Sequence, residues 1–285
     1  MKSLLRSPIV SAAVGGLTVA GLFLVLGVTG QRTIRTVIEE APLSTEPAAD
    51  TASGLTPYAI YEHDAAGVVY VRAAVEEPVT NPFELSSTQQ EGVQTGSGFV
   101  VDNQGDILTD YHVIAGAGAG AISVEFERGV IRPAQVIGED PSDDLAMLRV
   151  DGSGLHLDPL LLGDSATARV GDPTLAIGNP FGLDRTLTTG IVSALQRQIA
   201  GPDGFTIDNV IQTDAPPDPG TSGGPVIDAA GRVIGISSEM DTGEGGDASV
   251  GIGFAIPIDT ARALLPHLGG AVPPPAMLVT NPAAH

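Results

Sequence analysis

Hydrophobic and β-branched residues come in short runs along most of the chain. Val68–Val71, Ser97–Val101, Asp106–Thr109, Ile122–Phe126 and Leu145–Leu148 each read as a strand bounded by turn residues. So do Thr174–Ile177, Gly190–Ala194, Val210–Thr213, Pro225–Asp228, Val233–Ile236 and Gly253–Ile256. Little helical periodicity lies between them, and strands at that spacing predict an all-β sandwich or barrel. One helix is predicted near the end: Pro257-Ile258-Asp259-Thr260 leads into Ala261–Leu268, with Asp259 or Thr260 as its N-cap. Residues 76–93, with Pro78, Pro82, Ser86 and Ser87, read as a long insertion between two strands. The Gly/Ala alternation at Gly116–Gly120 reads as a flexible connection, because its spacing is wrong for a nucleotide loop and no helix pattern follows. No internal repeat is strong enough to name.

The amino end has another pattern. Lys2 and Arg6 precede an uncharged stretch from Ser7 to Gly30, and no acidic residue occurs before Glu39. Ile9–Gly30 would span about 33 Å as a helix, against a hydrocarbon core of about 30 Å. That is longer than the roughly 7–15 residues of a secretory core. Residues 8–30 are therefore expected to be a transmembrane signal anchor after a short cytoplasmic segment at 1–7. Cleavage after Val28-Thr29-Gly30, giving a secreted protein, is the alternative. The export reading puts the bulk of the chain outside, periplasmic or extracellular. Residues 31–55 read as a flexible linker, and the Pro- and Ala-rich stretch 269–285 as a disordered tail.

Composition narrows the function classes. The 285 residues carry 13 Lys+Arg against 34 Asp+Glu, a net charge of −21. Such a surface repels phosphate backbones, so nucleic acid is not an expected partner. The 37 Gly and 22 Pro argue against a helical bundle. The absence of Cys removes thiol catalysis, disulfide scaffolds, zinc fingers and Fe–S clusters. Asp241, Glu244 and Asp247 sit in a Gly-rich stretch, but their spacing does not match an EF-hand loop, and a solvated acidic loop fits better. No cofactor and no metal are expected.

Three segments hold the candidate chemistry: Leu108–Ile114 with a His at a strand end, Asp140–Leu148 with an Asp at a strand start, and Asp214–Pro225 with a Ser among glycines. A serine hydroxyl attacks at neutral pH only when a base takes its proton. A neutral imidazole does so, and a carboxylate on its other nitrogen fixes the tautomer and stabilises the imidazolium. The oxyanion then needs two backbone N–H donors. Gly220-Thr221-Ser222-Gly223-Gly224-Pro225 offers those of Gly220 and Ser222. The order His112, Asp144, Ser222 is one of the known orders of this triad. Each residue alone has a plainer reading, as a surface histidine, a capping carboxylate or a turn serine. His63, His156, His267 and His285 read as ordinary histidines, and Asp143 competes with Asp144.

These segments resemble the HtrA/Deg family of trypsin-like serine proteases. Gly96–Val101 running on to Thr109–Ile114 is similar to that family's first barrel around its catalytic His, and Asp144–Leu148 to the strand carrying its Asp. Ile177–Leu183 with Thr189–Ala194, Ile211–Pro225 and Gly251–Pro257 resemble the second barrel, its serine loop and its final strand. The resemblance covers about 56–268. It implies a chymotrypsin-like protease domain there, with two six-stranded antiparallel barrels and a short C-terminal helix, and with His112, Asp144 and Ser222 as catalytic residues. It also implies polypeptide substrates, with hydrolysis of unfolded or exposed segments in envelope quality control. Family members commonly carry PDZ domains; with 17 residues after Leu268 in this sequence, none is expected here.

Pro216-Pro217-Asp218 departs from the family's usual sequence at the specificity pocket, where the resemblance makes Pro216 and Pro217 candidate pocket residues. Met240, after Ser237-Ser238-Glu239 on the substrate-pairing strand, is a candidate pocket wall, and a surface Met in a loop explains it equally well. With no carboxylate at the Pro216 position, a basic P1 residue is disfavoured. Tyr58 and Tyr61 stand where the family uses aromatics to form a homotrimer, and core packing explains them equally well. Two other readings compete. One is a non-catalytic binding or scaffold protein with a protease fold. The other is an esterase, disfavoured because strand residues follow the serine where an elbow needs a helix.

Overall fold

A computed structural model describes residues 54–80, 87–179, 185–201, 206–215, 220–238 and 251–266. The expected anchor at 8–30, nearly all of the linker and the tail at 269–285 lie outside these residues. Among the described residues no helix is long and apolar enough to cross a membrane.

The strands form two closed antiparallel barrels of six. The first contains β1 (Val68–Thr80), β2 (Ser87–Val100), β3 (Asp106–Asp110), β4 (Ala117–Phe126), β5 (Val130–Asp140) and β6 (Leu145–Val150), in the order β1-β2-β3-β6-β5-β4. The second contains β7 (Pro173–Gly178), β8 (Thr186–Ala200), β9 (Thr206–Thr213), β10 (Pro225–Asp228), β11 (Val233–Ser238) and β12 (Gly253–Pro257). Its order, β7-β8-β9-β12-β11-β10, repeats that of the first. Closure leaves neither barrel an unpaired edge. The internal duplication is thus one of topology, invisible as sequence repetition.

Four expectations need correction. Residues 76–80 and 87–93 are strand rather than insertion: β1 and β2 stay paired from Glu76↔Glu91 to Thr80↔Ser87, a ladder of backbone hydrogen bonds that needs no apolar signal. Gly116–Gly120 is not a loose connection, because β4 starts at Ala117, opposite Val75, and a bulge takes up the small residues before Ile122 pairs with Ala73. The C-terminal helix is Ile258–Leu264, with Pro257 at its N-cap and no side-chain cap. Asp259 instead accepts hydrogen bonds from Ser165 Oγ at 2.7 Å and from Ala166 N–H at 3.0 Å. A second helix, Pro57–Asp64, starts where strand runs were expected. Thr56 Oγ1 accepts from the N–H of Ala59 at 3.2 Å, and Pro57 occupies the first turn, where its missing N–H costs nothing.

The barrels share their interior. Val68, Phe99, Leu108, Leu145 and Met147 of the first barrel pack in one cluster with Leu175, Ile177, Ile227, Val233, Ile236 and Ile256 of the second. Leu160 and Leu162 of the connecting segment and Ile258, Ala261 and Leu265 of the C-terminal helix complete it. A separate cluster around Val71, Ile107, Val124 and Leu148 fills the first barrel. Because the shared cluster crosses between barrels, the two are expected to unfold in a single urea transition. Phe99 is fully buried in it, so Phe99→Ala should lower the unfolding free energy by about 3–5 kcal/mol. Two separate transitions, or a change confined to one barrel's probes, would contradict this shared core.

Candidate active site

His112 sits in the tight turn Tyr111–Val113 that follows β3, and Asp144 in the residue before β6. The register of β3 on β6 places Asp110 opposite Leu145, which brings the two turns side by side. Asp140 caps the turn Pro141–Asp143, accepting from Ser142 N–H and Asp143 N–H, and the chain then passes through Asp144 in the left-handed region at φ +52°. Asp is among the few non-glycine residues that tolerate this conformation. It turns the Asp144 carboxylate onto His112 at two points. The N–H of His112 donates to Oδ1 at 2.8 Å, and Nδ1 lies 2.8 Å from Oδ2. The N–H of Tyr111 also donates to the Asp144 carbonyl at 3.0 Å. An Nδ1–H tautomer satisfies Oδ2 and leaves Nε2 as the acceptor. Asp144, not Asp143, is the carboxylate that contacts His112.

Ser222 comes from the second barrel and is buried. Its carbonyl accepts from Ser97 N–H of β2 at 2.7 Å. Thr221 O accepts from Gly224 N–H, and Gly223 N–H donates to Ser237 O, each at 2.8 Å. Gly223 has φ +84°, and a Cβ there would lie 2.2 Å from Ser97 O and 2.4 Å from Thr109 Oγ1. Only glycine lets the serine loop press this closely on the strands that lead to His112. Gly220, the other candidate oxyanion donor, is at φ +92° in the same loop. Pro216, Pro217 and Met240, the candidate pocket residues, lie outside the described residues, as do Asp241, Glu244 and Asp247.

Two neighbours of the His–Asp pair were not legible from sequence. Ser238, at the end of β11, donates from Oγ to Asp144 Oδ2 at 3.3 Å. Asp110 is fully buried, its Oδ2 lies 3.9 Å from His112 Nδ1, and neither of its oxygens closes a hydrogen bond among the described residues. Asp110, His112 and Asp144 form the one group of metal-type donors found among the described residues. His112 and Asp144 are already committed to each other. The plainer histidines stand apart: His63 pairs with Asp64 at 2.7 Å and His156 with Asp158 at 3.2 Å, both rings exposed. His267 and His285 lie outside the described residues.

Burial, and next the adjacent Asp144 charge, raise the Asp110 carboxyl well above the usual carboxylate range. His112, Gly223 N–H and the Ser238 hydroxyl face it and only partly oppose the rise. The folded chain therefore keeps a proton that the unfolded chain releases. The associated stability is present in full below the unfolded value and is lost as pH climbs through the folded one. Asp110→Asn keeps the shape without the ionisation. Its Tm relative to the parent should rise steadily from acid to mildly alkaline pH. A difference that stays flat or falls over that range would show Asp110 to be ionised in the fold.

Comparison with known proteins places this geometry. The trypsin-like peptidase domain model matches residues 96–236. Protease Do-like 5, chloroplastic, of Arabidopsis thaliana is 40% identical over 220 residues, covering 73% of this chain and 68% of the relative. A probable periplasmic serine endoprotease DegP-like of Pseudomonas fluorescens is 43% identical over 186 residues, covering 65% of this chain but 37% of the relative. The solved HtrA-type protease AlgW with a decapeptide superposes with a TM-score of 0.60 at 34% identity, covering 75% of this chain and 67% of that one. Fold, site order and relatives agree: the chain belongs to the HtrA/Deg family of trypsin-like serine proteases.

Proposed function

We propose that the chain is a serine endopeptidase in which His112, Asp144 and Ser222 form the catalytic triad and the N–H groups of Gly220 and Ser222 bind the oxyanion. The observation that carries this reading is the pair of hydrogen bonds that Asp144 accepts from His112, at 2.8 Å each, beside a serine loop clamped onto β2. In the proposed sequence Nε2 of His112 removes the Ser222 proton as Oγ attacks the scissile carbonyl. Asp144 stabilises the imidazolium through Nδ1–H and stays ionised. The imidazolium then protonates the leaving amine. Water repeats the cycle on the acyl-enzyme, with His112 again the base. A scaffold role would leave the two-point hold on the imidazole without a purpose.

The substrates proposed are unfolded or exposed polypeptide segments, with envelope quality control as the setting. Support comes from the periplasmic and chloroplastic names of the relatives and from the decapeptide in the AlgW structure. We also propose that residues 8–30 tether the enzyme to a membrane with the barrels on the extracytoplasmic side, on the strength of their length and lack of charge. A homotrimer through Tyr58 is supported by that ring's 72% exposure. Tyr61 is differently placed, since its hydroxyl donates to Arg185 O at 3.1 Å.

Ser222→Ala should abolish casein cleavage, with a loss of at least about 10⁴-fold, while leaving the circular dichroism spectrum unchanged. A fluorophosphonate should label the parent at Ser222 and leave the variant unlabelled. Full residual cleavage in Ser222→Ala would remove Ser222 from the mechanism. The tether is tested separately. The full-length chain should stay with membranes through an alkaline carbonate wash, and release into the wash would rule out an anchor.

A further inference from the structure

Ser97 lies in β2 of the first barrel and is fully buried. Each of its polar atoms is engaged. Its N–H donates to Ser222 O at 2.7 Å, and its carbonyl accepts from Thr109 Oγ1 at 2.7 Å. Its hydroxyl donates to Gly220 O at 2.6 Å and accepts from Asn179 N–H, just past the end of β7, at 2.8 Å. A hydroxyl has one proton, and the incoming Asn179 N–H directs that proton toward Gly220. One side chain of the first barrel thus holds two separate segments of the second.

The bonds fall on consecutive peptides of the serine loop. Gly220 O is held by Ser97 Oγ, Thr221 O by Gly224 N–H and Ser222 O by Ser97 N–H. A trans peptide is planar, with its N–H opposite its C=O. Fixing the Thr221 carbonyl therefore aims the Ser222 N–H the other way. Fixing the Gly220 carbonyl sets the ψ of a glycine whose φ of +92° leaves it broad conformational freedom.

We propose that Ser97 is a positioning residue for catalysis: its hydroxyl locks the Gly220–Thr221 peptide to the first barrel and so fixes the oxyanion-binding turn relative to His112. This rests on the triad reading above. The residue never touches the substrate. Its contribution is to hold the donors where charge develops in the transition state, and small displacements of such groups are costly.

Ser97→Ala removes only the hydroxyl and keeps both backbone bonds of Ser97. Its kcat should fall by about 10- to 10²-fold, with KM held within about threefold. The acid limb of the pH–rate profile should not move, because the His112–Asp144 pair is untouched. A peptide boronate, which forms a tetrahedral adduct at the serine, should lose affinity in parallel with kcat/KM. Binding of the cleaved product peptide should be unchanged. A kcat within about threefold of the parent overturns the proposal. So does a shifted acid limb, or a loss that appears in product binding as much as in boronate binding. Ser222→Ala is assayed in parallel to separate the two readings. Residual cleavage there refutes the triad, whereas an inactive Ser222→Ala beside a fully active Ser97→Ala refutes only the role of Ser97.

Discussion

The contact between the serine loop and strand β2 sets what the rest of this structure can do. His112 and Asp144 stand on one barrel and Ser222 on the other, so the alignment of these three residues is the alignment of the barrels. The loop is docked by the bond from Ser97 N–H to Ser222 O at 2.7 Å and by the approach of Gly223 to Ser97 and Thr109, which any side chain at 223 would block. Behind it, the connecting segment is tied to both bodies: Leu160 N–H donates to Val100 O at 2.9 Å and Gly163 N–H to Val233 O at 2.8 Å. The apolar cluster from Phe99 to Ile256 then resists sliding, because packed interiors do not deform continuously. A site assembled across an interface this apolar needs no covalent cross-link, consistent with a chain that has no cysteine.

Three buried carboxyls on or beside β3 show three solutions to the same cost. Asp106 is paired by the Arg149 guanidinium with two hydrogen bonds at 2.6 and 2.8 Å, made possible by their direct opposition in the β3–β6 register. Asp144 is paired by the two donors of His112 and by Ser238. Asp110 has no such partner, and burial favours its neutral form. The consequence for the site is electrostatic. With its carboxyl pushed toward the neutral form, Asp110 adds less negative charge beside His112 than a carboxylate 3.9 Å from the ring otherwise would.

Much of this was legible in the chain, and the gaps have identifiable causes. Eleven of the twelve strands announce themselves through β-branched runs, because their inner faces fill a core. The exception, β5, buries only Ala134 fully along Val130–Asp140 and carries Pro133, so it has no apolar run to find. The distal arms of β1 and β2 were hidden for a related reason: backbone pairing holds them, and their residues read as polar. At the site, His112, Asp144 and Ser222 stood out through order and glycine context. The family resemblance already points to Asp144 rather than Asp143, because it precedes Leu145-Ala146; the left-handed turn that puts its carboxylate on His112 is a feature of backbone geometry. Asp110 and Ser238 are remote or ambiguous in sequence, and they matter only because β3 and β11 end against the same carboxylate. Ser97 was read as part of a strand, and nothing in a Gly-Ser-Gly string says that its hydroxyl faces another barrel.

The two barrels share one strand order, yet their contributions differ, and the difference follows from where each chain turns. In the first barrel the turns after β3 and before β6 meet because those strands are neighbours, which places a base and an acid together by local pairing alone. In the second barrel the serine loop precedes β10; its carbonyls are bound by β2 and by its own tight turn, and its Gly223 N–H donates to Ser237 O of β11. The His112–Asp144 contact is therefore made within one barrel, with a single bond from Ser238 of the other added to it, whereas the serine loop is shaped by both. Local disturbance of the first barrel should reach proton transfer first. Disturbance of the shared core should reach the serine loop before the His–Asp pair, because the loop is held by more of the bonds that cross between the barrels.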